Sequence, residues 1–73
     1  MRRALQSVAD SIAAWRKLRG LTQTQLADRS GVSRDTIGRL ERGDGGVSIE
    51  KLLRVLRSLG VNSLAELGPD LVV

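Results

Sequence analysis

The chain has 73 residues, suited to one small domain, and its 41% of hydrophobic residues is enough for a core and too much for a disordered tail. It has no cysteine and no histidine, which excludes disulfides, thiolate and imidazole metal sites and histidine acid–base catalysis, so no metal or cofactor is expected. The net charge of +4 is concentrated in residues 1–43, which balance at +5 against −1 for 44–73; a basic half is either a solvated surface or a pointer to a polyanion, nucleic acid or anionic membrane.

Met1-Arg2-Arg3 is a possible signal n-region, but Gln6, Ser7, Asp10 and Ser11 interrupt any apolar core behind it. No apolar run approaches the roughly 20 residues of a membrane span, so a cytoplasmic protein is expected. Leu5, Val8, Ala9, Ile12, Trp15 and Arg19 recur at helical spacing and predict a first helix over 3–19, capped by Gly20. Trp15 is the single aromatic residue and falls on the apolar face, so it reads as core rather than as a stacking platform. Lys17, Arg19 and Arg29 read as solvated or steering charges. Thr22-Gln23-Thr24-Gln25 is a capping box that opens a second helix over 23–30, with Leu26 and Ala27 inward. Ser30-Gly31-Val32 is a tight break, with Gly31 suited to a left-handed backbone. Ser33 caps a third helix over 34–42.

Residues 43–47 are a glycine-rich loop. Ser48 caps a fourth helix that carries Ile49, Leu52, Leu53, Leu56 and Leu59 on one face and closes at Gly60, with Arg54 and Arg57 on the surface. Ser63-Leu64-Ala65-Glu66 is a second capping box, which opens a short fifth helix stopped by Gly68-Pro69. The expected architecture is an all-α domain over 1–68 and a tail over 69–73.

The window 23–42 carries the functional signal. Two short helices joined by a three-residue turn with a glycine form a helix-turn-helix, whose second helix is placed to enter a major groove. Leu26, Val32, Ile37 and Leu40 pin the helices together, and Ala27 is small where they cross. Ser30 stands where such motifs more often have an apolar residue. On the third helix, Ile37, Leu40 and Glu41 share one side. Asp35, Gly38, Arg39 and Arg42 share the other, which has no apolar side chain to bury. The planar fork of arginine can donate to guanine O6 and N7 together. Gly38 either removes bulk where a helix lies close to base edges or is merely tolerated, at about 1 kcal/mol relative to alanine.

Gly20-Leu21-Thr22-Gln23, Leu26-Ala27, Gly31-Val32-Ser33-Arg34, Thr36-Ile37 and Leu40-Glu41-Arg42-Gly43 together resemble the phage Cro/CI-repressor-like, or xenobiotic-response-element, helix-turn-helix family. The resemblance continues through Leu52-Leu53-Arg54-Val55-Leu56 and Leu59-Gly60-Val61 and covers about 12–67. It implies a compact five-helix, lambda-repressor-like DNA-binding domain that works as a homodimer on a pseudo-palindromic operator. It also implies base contacts from Arg34, Asp35, Gly38 and Arg39, and phosphate contacts from Thr22, Gln23, Ser33, Thr36, Arg42 and Gly43. Asp35 is open between accepting from cytosine N4 and serving the helix dipole. Thr36 is open between a thymine methyl, a phosphate and packing. By the same resemblance Arg16 and Glu41 form a partly buried ion pair. Leu64 and Leu67, with Leu71, Val72 and Val73 of the tail, are surplus apolar residues expected at the dimer interface. The resemblance implies a transcriptional repressor or autoregulator. The alternative is an antitoxin that neutralises a toxin protein and binds DNA to autoregulate. An enzyme is not expected, since no nucleophile–base pair stands at a useful spacing.

Overall fold

A computed structural model describes residues 2–61. Within them the chain forms four helices and no strand: α1 (Arg2–Leu18), α2 (Gln23–Ser30), α3 (Arg34–Glu41) and α4 (Ile49–Ser58). The expected fifth helix over 63–67 and the tail, with Leu64, Leu67, Leu71, Val72 and Val73, lie outside the described residues. No described helix is long and apolar enough to cross a membrane.

Helix ends follow from local chemistry. Thr22 Oγ1 accepts from the Gln25 amide at 3.0 Å while Gln25 Oε1 accepts from the Thr22 amide at 2.8 Å, closing the capping box of α2. Ser33 and Ser48 cap α3 and α4 by accepting from the amides of Thr36 and Lys51. Helices α1, α3 and α4 each run into a glycine with positive φ, and the amide of the residue after it reaches back to the last turn: Leu21 to Arg16, Asp44 to Arg39 and Val61 to Leu56. The turn between α2 and α3 is Gly31-Val32-Ser33, and Gly31 has φ +74°, a conformation that an L side chain resists. Ser30 keeps its place at the end of α2 because its hydroxyl donates to the Leu26 carbonyl at 2.7 Å.

The core consists of Ile12 from α1, Leu26 and Ala27 from α2, Ile37 and Leu40 from α3, Val55 and Leu56 from α4, and Leu21, Leu59 and Val61 beside them. Helix α3 packs against both α1 and α2, and α4 packs against α2. Trp15 is half-buried against this core.

Three expectations need correction. Ile49 and Leu53 do not share the inward face of α4, being 63% and 36% exposed. The stripe that packs is Leu52, Val55, Leu56 and Leu59, spaced i, i+3, i+4, i+7; Leu53 is one step of about 100° off it, and Ile49 lies on the same flank. The first helix ends at Leu18, and Arg19 lies beyond it, its guanidinium stacked over the Trp15 ring at 4.5 Å from the centroid rather than simply solvated. The third helix ends at Glu41, with Arg42 as its cap.

Candidate nucleic-acid interface

The outward side of α3 is set by what its inward side holds. Ile37 and Leu40 are buried in the core, and Glu41 in the same helix is fixed by polar contacts. Arg16 donates from Nε to Glu41 Oε2 at 2.7 Å and from Nη2 to Oε1 at 3.1 Å, a two-pronged pair whose side chains are 12% and 10% exposed. The remaining Arg16 nitrogen, Nη1, donates to the Leu21 carbonyl at 2.8 Å. Gln23 Nε2 donates to Glu41 Oε1 at 3.2 Å. One carboxylate thus ties α3 to α1 and to the first turn of α2. The hydrogen bond to Glu41 raises the Arg16 pKa above the ordinary arginine value; burial opposes the shift, and the Coulomb attraction of Glu41 adds to it. The stabilisation linked to this shift is complete below the ordinary arginine value and is lost only as pH rises through the raised one, so it is constant near neutrality.

With α3 held in this way, Arg34, Asp35, Arg39 and Arg42 are exposed on its far side. Two of the residues named for DNA contact, Thr36 and Gly38, are buried as the domain stands. Thr36 is 8% exposed and its hydroxyl lies 2.9 Å from Ser33 Oγ, so it completes the helix cap instead of joining the outer face. Gly38 is buried because Arg42 folds back along the helix: a Cβ built on Gly38 would lie 3.1 Å from Arg42 Nη1. At the start of α2, Thr22 is exposed, and its hydroxyl keeps a proton to donate while it accepts from Gln25. Gln23 gives one of its two Nε2 protons to Glu41. Ser33 is exposed at the mouth of the turn, and Gly43 is half-buried beyond α3.

Arg39 has two acidic neighbours, of which sequence spacing gives one. Its Nε lies 3.4 Å from Asp44 Oδ2 and 3.9 Å from Asp35 Oδ2. The i, i+4 spacing signals Asp35, but Asp44 comes close only because Gly43 reverses the chain.

A family model described as Helix-turn-helix matches residues 12–67, most of the chain. The chain belongs to the helix-turn-helix family, in its Cro/CI-repressor-like branch. Members of this helix-turn-helix family are DNA-binding transcriptional regulators. The chain is 49% identical over 45 residues to an HTH-type transcriptional regulator of Methanothermobacter thermautotrophicus, an alignment covering 62% of this chain and 65% of that relative, slightly less than two thirds of its length. Among solved structures, the restriction-modification controller protein C.AhdI from Aeromonas hydrophila superposes with a TM-score of 0.73 at 31% identity, covering 80% of this chain and 88% of that one. The clp gene regulator ClgR from Corynebacterium glutamicum superposes with a TM-score of 0.76 at 33% identity, covering 88% and 81%. The all-helical fold described above is therefore the helix-turn-helix fold of these regulators, and α2, the glycine turn and α3 are its motif.

Proposed function

We propose that this protein is a cytoplasmic, sequence-specific regulator of transcription, a homodimeric repressor or autoregulator that lays α3 in the major groove of double-stranded DNA. The observation that carries this reading is the two-sided character of α3. Ile37, Leu40 and the Arg16–Glu41 pair immobilise one side, and Arg34, Asp35, Arg39 and Arg42 crowd the other. A helix fixed so firmly, with three exposed arginines on its outer side, suits base edges and flanking phosphates better than free solvent. Arg39 and Arg34 take base edges, and Arg42 unfolds from Gly38 to reach a phosphate. Thr22 and Ser33 offer hydroxyls, and the first amides of α2 offer donors, to phosphates on either side; the Gly43 amide already donates to the Leu40 carbonyl at 3.1 Å, so Gly43 contributes a close approach of the backbone and no donor. Gln23 approaches a phosphate through its backbone amide or through the Nε2 proton that it does not give to Glu41. In the dimer, the two copies of α3 stand about 34 Å apart, one turn of DNA. The dimer contacts fall to the segment with Leu64, Leu67, Leu71, Val72 and Val73. A second reading, an antitoxin that covers a toxin protein, draws on the exposed apolar side chains Ile49 and Leu53 as a protein contact.

Selection of bound duplexes from a random-sequence pool tests the leading reading, which requires a reproducible two-fold-symmetric motif; recovery of random sequence contradicts it. Gly38→Ala separates binding from folding. The added Cβ meets only the movable end of Arg42, so the free domain accepts it and gains about 0.5–1 kcal/mol from helix propensity. Binding to the selected duplex is expected to fall, because the methyl occupies the space into which base edges come. Equal or tighter binding by the stabilised variant, compared by melting and by titration with the duplex, removes Gly38 from the interface.

A further inference from the structure

Asp44 has no part in holding the core, yet its position is closely fixed. Gly43, at φ +79°, turns the chain so that the Asp44 amide donates to the Arg39 carbonyl at 3.0 Å. The Asp44 carboxylate then bends inward over its own loop. Its Oδ1 accepts from the Gly46 amide at 2.7 Å, and a Cβ on Gly46 would stand 3.1 Å from that oxygen. Its other oxygen, Oδ2, is left 3.4 Å from Arg39 Nε. Asp35 approaches the same nitrogen at 3.9 Å from the opposite direction along the helix. Arg39 is thus flanked by two carboxylates near the base of its fork, with the terminal nitrogens beyond them carrying the donors for a ligand.

Such half-exposed pairs contribute little to folding. Their effect on a DNA ligand is selective. A phosphate is charged, so a nearby carboxylate repels it at any register along the duplex. The acceptors of a guanine edge are neutral, and the same carboxylate disturbs them far less while holding the fork in line. The geometry points to Asp44 as a positioning residue for Arg39, one that suppresses attraction to phosphates and so raises the ratio of sequence-specific to nonspecific DNA binding. This inference rests on the reading of α3 as the helix that enters the groove.

The test is Asp44→Asn, which keeps an acceptor for the Gly46 amide and removes the charge. Affinity is measured for a duplex selected by the unmodified protein from a random pool, and for a mixed-sequence duplex of the same length, in low and physiological salt. In low salt the variant is expected to bind the mixed-sequence duplex about two- to fivefold more tightly, the range set by an exposed charge pair. The selected duplex gains less, so discrimination falls, and the base preference relaxes at the position that Arg39 reads. In an Arg39→Ala background the same substitution is expected to leave the ratio unchanged. A variant that tightens on both duplexes equally, or whose loss of discrimination persists without Arg39, overturns the role of Asp44. If the unmodified protein discriminates no better than Arg39→Ala, Arg39 is not a reading residue and the role of Asp44 falls; if Arg34→Ala also leaves discrimination unchanged, the reading of α3 fails as well. If it discriminates through Arg39 and Asp44→Asn loses none of that, Asp44 alone is refuted.

Discussion

Glu41→Ala is expected to cost about 2–4 kcal/mol of folding stability, a large share of the total for a domain this small. The cost comes from what is left behind. Arg16 loses the partner of both Nε and Nη2 and keeps only the Leu21 carbonyl, in a site where its side chain is 12% exposed. Gln23 loses its acceptor as well. A charge held so far from water without compensation is penalised by its desolvation, not only by the missing bond. Glu41→Gln keeps an acceptor and is expected to lose less. Replacing both partners with apolar residues of similar volume, Arg16→Met with Glu41→Leu, is expected to recover most of the loss. Urea unfolding of the four proteins checks this. A Glu41→Ala variant within about 0.5 kcal/mol of the parent places the pair among ordinary surface contacts.

The second large effect concerns DNA. Arg39→Ala is expected to cost about 1–3 kcal/mol on the selected duplex, and to relax preference at one base pair in each half-site, because it removes the fork at the middle of the outer face of α3. Arg42→Ala differs in kind. Its side chain leaves from the helix cap and lies back over Gly38, and the proposed reading gives it a phosphate. Its loss is expected to weaken selected and mixed-sequence duplexes alike, and to flatten the dependence of log K on log salt by about 0.9 per contact removed. Competition titrations with single-base variants of the selected duplex distinguish the two. If neither Arg39→Ala nor Arg34→Ala changes a base preference, α3 is not the reading element; if Arg42→Ala alters preference at one position, Arg42 reads a base and not a phosphate.

What was legible in the sequence depended on how far apart the interacting groups lie. The capping box at Thr22 and Gln25, the Ser33 and Ser48 caps and the left-handed Gly31 involve residues within three or four positions of one another, so residue type and order nearly determine them. The Arg16–Glu41 pair spans 25 positions and was reached through family resemblance, not spacing. Three features depended on geometry that no short pattern carries. Asp44 meets Arg39 only after Gly43 adopts a positive φ and closes the turn behind α3. Gly38 is covered by one particular conformation of Arg42. Ile49 and Leu53 fit an apolar face by composition, but only the packing of α4 against α2 shows that Val55 fills the core and that these two lie to the side. Sequence alone leaves Thr36 open between a ligand and packing, and its burial with a hydrogen bond to Ser33 favours packing.

The most direct measurement of the central claim is the salt dependence of binding to the selected duplex. On the proposed reading a homodimer places α3 in successive major grooves and neutralises on the order of 6–8 phosphates, so log K is expected to fall with log salt at a slope of about −5 to −7. The mixed-sequence duplex should bind far more weakly at physiological salt. A flat response between low and physiological salt, or equal affinity for both duplexes at every salt concentration, contradicts sequence-specific DNA binding as the work of this domain.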